Sequence, residues 1–249
     1  MIRIPAATSV VLALSLVLSC GCGSEDAGGN EGENAKPEPA PDPVADSASG
    51  NGPSAPDGGG GPADLGQPDG RGKGILAGVL DNTLAKRTPG VVYVEYCQGS
   101  FELLAAHPIM DQLAKAFTPH VLAVLAGSTV DFPNSDDVRH SVYTKEGSAN
   151  DYNLGQYPTG EVKHVEHPKT GVTQLACNIH AEMSGYVISL QNPFFAVTDK
   201  GTARFTIPDV PSGKYRLAFF HEKLQSVSSV VTVEPGKTTE VVFRDLKRK

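Results

Sequence analysis

The sequence predicts an all-β protein, two β-sandwiches behind a disordered tether. Three observations predict it. Beyond residue 73 the chain breaks into short runs of β-branched and aromatic residues, separated by Gly, Pro, Asn and Ser turns. One stretch alone in that part, 108–117, has the spacing of a helical turn, and Pro119 ends it. The composition also changes abruptly near residue 72, from Gly/Pro-rich and acidic to apolar and charge-balanced.

Residues 1–19 read as a targeting segment. Arg3 gives a positive start, and the apolar run 10–18 (VVLALSLVL) is too short to span a bilayer as a helix. The run ends at Val17-Leu18-Ser19-Cys20, which resembles a bacterial lipobox, where cleavage precedes the cysteine and a lipid joins its sulfur. Cys22 is an alternative lipidation site, and an unlipidated signal cut near Gly23 is the plainer alternative. Each reading takes the mature chain out of the cytoplasm, and the cell envelope is its expected location. Lipidation at Cys20 would leave it anchored on the periplasmic side. Gly21 is not the Asp that commonly retains lipoproteins at the inner membrane, which favours the outer one.

Residues 20–72 read as a linker. Within 23–72 there are 13 Gly, 8 Pro and no aromatic residue, so too little apolar surface can be buried to offset the entropy of ordering the backbone. That stretch holds 2 basic and 10 acidic residues, whereas 73–249 holds 18 of each. The acidity therefore belongs to the tether, and no basic patch points to nucleic acid.

Strands are expected at 91–96, 121–125, 129–132, 141–143, 172–176, 186–190, 203–207, 215–220, 227–233 and 238–243. Residues 203–246, with their Phe-x-Ile-Pro-x-Val-Pro-x-Gly-x-Tyr-x-Leu pattern, resemble the carboxypeptidase regulatory-like, or transthyretin-like, β-sandwich. The opening elements of that family match Gly78-Val79 and residues 89–93, far upstream. One sandwich built from 74–98 and 194–246, with a second domain at 103–190 inserted, accounts for the gap. Two consecutive domains, with 74–98 as the first strand of the other one, is the alternative.

The chemistry lies in Cys177-Asn178-Ile179-His180-Ala181-Glu182-Met183, a C-x2-H-x2-M loop directly after a strand. His140 stands 37 residues before Cys177. One thiolate, two imidazoles and a weak thioether make the ligand set of a blue-copper centre. Sulfur ligands favour Cu(I), and imidazole suits both oxidation states. Residues 103–190 resemble a cupredoxin, and the short loop resembles that of the amicyanins. The first half of the family pattern is matched by Pro119, 121–124, 126–132 and Asn134. The resemblance implies a Greek-key sandwich, one mononuclear copper held by His140, Cys177, His180 and Met183, and His180 as a surface port for electrons in an apolar patch. It places an Asn after the first histidine, where this chain has Ser141, and often a Pro after the second, where it has Ala181. The Ser141 hydroxyl would serve in part, altering the potential more than the site.

A Cys97–Cys177 disulfide is the competing reading for an exported chain. His164 and His167, three apart on a strand, should point to opposite faces, and His107, His120 and His221 read as surface or structural. Asp136-Asp137 reads as a solvated turn. No nucleophile elbow or other catalytic arrangement stands out, so the chain is not expected to be an enzyme. The expected function is one-electron transfer between redox proteins of the envelope, such as a cytochrome c or a dehydrogenase, by a monomer touching the membrane through its lipid alone. A copper-delivery module and a structural surface lipoprotein are the alternatives.

Overall fold

The computed structural model describes residues 65–249. The leader, Cys20, Cys22 and most of the proposed linker lie outside them. The described chain is nearly all β, and it begins earlier than composition suggests. Strand β1 runs Pro68–Leu80, and α1 (Thr83–Arg87) is a single short helix capped by the Asn82 side chain on Leu84 N. β2 (Val91–Val94) follows, then β3 (Asp111–Leu113), β4 (Ala116–Thr118), β5 (Val121–Leu125), β6 (Thr129–Pro133) and β7 (His140–Thr144). Next come β8 (Asn153–Tyr157), β9 (Val162–Glu166), β10 (Gly171–Ala176) and β11 (Ser184–Leu190). The chain closes with β12 (Phe195–Val197), β13 (Arg204–Phe220), β14 (Ser228–Val233) and β15 (Thr238–Phe243). No helix among the described residues is long and apolar enough to cross a membrane.

Residues on either side of the 111–190 segment share one six-stranded sheet, ordered β12-β2-β13-β1-β15 with β14 also on β13. The 17-residue β13 serves both halves of it. Its first part pairs with β1, its last part with β2 and β14. A strand that changes neighbours in this way turns one sheet into two packed layers. Leu76, Phe205, Ile207 and Phe243 from one layer accordingly share a core with Val92, Leu217, Phe219 and Val233 from the other.

Within one of these layers β1 runs close to its neighbours at Gly78, which pairs with Val241 on β15 and Phe205 on β13. A Cβ at Gly78 would lie 1.8 Å from the Val241 carbonyl oxygen. Backbone atoms cannot yield as a side chain can, so Gly78→Ala is expected to destabilise the chain by about 2 to 3 kcal/mol, measured by urea unfolding.

Residues 121–190 form a five-stranded sheet, β5-β11-β10-β7-β8, covered by the β6–β9 pair. The first strand of this sheet, β5, runs parallel to the last, β11, so the order is not sequential. Val130 and Phe132 of β6 pack on Val142, Leu175 and Val187, and this core also contains Cys177 and Met183. A third apolar cluster joins the sheets through Val91, Phe220, Val121, Ile188 and Leu190. Each such side chain removed from water contributes about 1.5 to 3 kcal/mol.

Two expectations need correction. Residues 108–117 do not form a helical turn. Strands β3 and β4 make a hairpin, with Ala114 (φ 53°) and Lys115 (φ 57°) both left-handed at its two-residue turn. The hairpin buries Phe117 and Gln112, and Gly185 leaves room for the Phe117 side chain. The segment 68–72, assigned to the linker by composition, belongs instead to β1, where Pro68 pairs with Gly213.

Candidate metal centre

Three strands converge on one end of the five-stranded sheet. His140 is the first residue of β7, Cys177 follows the last residue of β10, and Met183 precedes the first residue of β11. The intervening loop is pulled tight by Met183 N donating to His180 O at 3.0 Å. The loop turns His180 back over the cysteine. The ligand atoms of His140, Cys177 and His180 all lie within 4.8 Å of one another. His140 Nδ1 and His180 Nδ1 are 3.1 Å apart, and Cys177 Sγ is 4.0 Å from His180 Nδ1. Nitrogen and sulfur ligands around one four-coordinate transition-metal ion stand about 3.3 to 3.8 Å from each other. The His140–His180 and Cys177–His180 separations fall within a few tenths of an ångström of that range, so the donor set fits such an ion.

Burial is graded across the group. His140, Cys177 and Met183 are buried and His180 is half-buried, beside Ile179 at 42 % exposure. Met183 shares the apolar core with Cys177. The His180 edge is thus the one closest to solvent.

The environment activates the sulfur. Burial pushes the Cys177 thiol up, but the backbone N–H groups of Ser141, His180 and Ile179, with the Ser141 hydroxyl, outweigh it and bring the thiol down to about 6. Ser141 ties the two halves of the site together. Its hydroxyl donates toward Cys177 Sγ at 3.7 Å and accepts from Asn178 N at 2.8 Å. The Cys97–Cys177 disulfide does not form, since both cysteines are free and sit in different cores.

Asp136 corrects the expectation of a solvated turn. Asn134 Oδ1 accepts from Asp136 N at 3.1 Å and bends the loop, so the Asp136 carboxylate points inward. There it accepts from Lys115 N at 2.7 Å and from His140 Nε2 at 3.0 Å. The bond from Lys115 N, then that from His140, hold the carboxyl down at about 2. With its proton fixed on Nε2, His140 turns the Nδ1 lone pair to the site. The sequence signal was a carboxylate four residues before a ligand-type histidine, too common to read without the loop geometry. Asp136→Asn is expected to weaken metal binding by about 10- to 100-fold in competition with a chelator, because an amide can present the wrong atom to Nε2.

The other histidines separate as alternation requires. His164 is exposed and His167 is buried. His221 is buried against Thr88, with Nε2 3.1 Å from the Thr88 carbonyl oxygen, and His120 Nε2 meets Glu222 Oε2 at 3.2 Å.

Comparison with known proteins gives two kinds of match. The family model of polysaccharide lyase family 4, domain II, matches residues 171–241, from β10 into β15 and across the ligand loop. That differs from the carboxypeptidase regulatory-like resemblance read from the sequence. Solved structures similar to the chain are cupredoxins. A reduced amicyanin variant is 20 % identical over 35 % of this chain and 86 % of its own, with a TM-score of 0.32. An oxidised amicyanin variant gives the same values. A purple cupredoxin from Nitrosopumilus maritimus is 16 % identical over 46 % of this chain and 97 % of its own, with a TM-score of 0.28. No curated protein matches the chain.

Proposed function

We propose that the chain holds one copper ion at His140, Cys177, His180 and Met183 and passes single electrons between redox proteins of the cell envelope. The observation that carries this reading is the convergence of two imidazole Nδ1 atoms and an activated thiol within 4.8 Å. Thiolate, thioether and imidazole together suit copper in both oxidation states. Copper bound there would supply reversible one-electron chemistry. The protein's own part is rigidity. His140 is held by Asp136, Cys177 and the loop are held by Ser141, and Met183 is packed in the core. Ligands that cannot move on electron arrival keep the barrier to transfer low. His180, half-buried beside Ile179, is the exit toward a partner such as a cytochrome c or a dehydrogenase.

In this reading the chain is a monomeric carrier rather than an enzyme. A lipid on Cys20 would hold it to the periplasmic side of a membrane, by preference the outer one. The linker would let it swing between donor and acceptor at high local concentration.

The test is redox cycling of the full chain loaded with Cu(II). The visible band should vanish with ascorbate and return with ferricyanide over repeated cycles, with copper still bound. Release of copper on each reduction would overturn the carrier reading in favour of copper delivery.

A further inference from the structure

A second group of metal-ligand side chains lies outside the site described above. His107, Asp131 and His164 present one ligand atom each, all within 4.8 Å of one another. Both His107 Nδ1 and His164 Nδ1 lie 2.7 Å from the same oxygen, Asp131 Oδ1. We propose that these three side chains form an exposed binding site for a divalent transition-metal ion such as Zn2+ or Cu2+, separate from the buried centre.

The backbone builds this arrangement from three separate stretches. Asp131 on β6 stands directly opposite His164 on β9 in the antiparallel pair, so both side chains leave the same face. The segment carrying His107 runs alongside. Asp131 N donates to Pro108 O at 2.9 Å, and Met110 N donates to Asp131 O at 2.8 Å. Asp131 and His164 are thus fixed on paired strands, and His107 directly precedes the 108–110 stretch that bonds to β6. Sites on strands hold their geometry better than sites on loops.

The chemistry selects the ion. Two borderline imidazole nitrogens with one carboxylate oxygen make a mixed set suited to zinc, copper and nickel. Calcium and magnesium take oxygen ligands and would gain little from two imidazoles. The side chains of His107 and His164 are 46 % and 57 % exposed, so remaining coordination positions stay open to water or an incoming ligand. A purely structural ion pair needs one histidine for one carboxylate. Here two rings, 6.1 Å apart between centroids, aim the same nitrogen at one oxygen. An ion would replace that crowded contact once the rings open by a few tenths of an ångström. It would then cross-link β6, β9 and the segment before β3.

The experiment is zinc binding to the copper-loaded full chain, by equilibrium dialysis and metal analysis. His107→Gln and His164→Gln are each expected to retain one zinc equivalent fewer than wild type. Their visible copper spectrum should not change, which separates this site from the first. If the buried centre takes no copper, it can take zinc, and the deficit of one equivalent still reads the second site. Zinc should also raise the unfolding temperature of the wild type by more than that of the variants, because each further ion bound to the folded state alone stabilises it. Equal zinc uptake and equal thermal shifts in wild type and both variants would overturn the proposal.

Discussion

Replacing Cys177 by serine is expected to remove the intense visible absorption that the proposed copper centre would give, and tight copper binding with it. The expectation rests on what the position does to a thiol. At about 6, the Cys177 thiol is mostly ionised at neutral pH before any metal arrives. A serine hydroxyl there stays neutral, so it can neither donate charge to the ion nor give a sulfur-to-metal transition. The fold should survive. Cys177 is buried, and a hydroxyl in its place still finds the Ser141 side chain and the loop N–H groups, so the metal-free variant should lose only about 1 kcal/mol. Cys97→Ser is the control. Cys97 lies in the other core, and its thiol is pushed up by burial, so its loss should leave the spectrum unchanged. The copper reading is sunk if Cys177→Ser keeps the band, or if Cys97→Ser removes it.

How legible these features were depends on whether local pattern or tertiary pairing decides them. Strands β5 and β15 occupy stretches that the sequence marks in two ways, β5 as a continuous apolar run packed on both faces and β15 by its alternately buried Val241 and Phe243. The β3–β4 hairpin was not legible. Its turn uses Ala114 and Lys115 in left-handed conformations where sequence rules look for Gly or Asn, and burial of Phe117 outweighs that cost. The start of β1 was equally hidden, since its first six residues are exposed and bury no apolar side chain to mark a strand. In the site, the convergence of Cys177 and His180 follows from one short loop, so spacing reveals it. Asp136 gains its role from a bend set by Asn134. The His107, Asp131 and His164 group exists only through strand register across three segments.

Acidification from pH 7 to pH 4 is expected to cost the fold about 3 kcal/mol through His167 alone. His167 is fully buried. Its Nε2 faces the Tyr152 hydroxyl at 3.2 Å and its Nδ1 the Ser189 hydroxyl at 3.4 Å, so both ring nitrogens meet neutral partners. Burial disfavours the charged ring and lowers its pKa from 6.5 to about 4. Above the unfolded value, both states hold a neutral ring and this residue adds no pH dependence. Below it the unfolded chain binds a proton that the folded chain refuses, so stability falls by about 1.4 kcal/mol per pH unit. The loss levels off once pH drops below the folded value. Urea unfolding of the metal-free full chain at several pH values, beside His167→Gln, isolates the effect, because other titrating groups act on both proteins alike. The variant should be the less stable at pH 7, where it has lost fitted contacts, and should lose about 3 kcal/mol less than wild type on the way to pH 4. Parallel curves would mean that the ring takes up its proton in the folded state, which requires water or a carboxylate to reach it from the β6–β9 side.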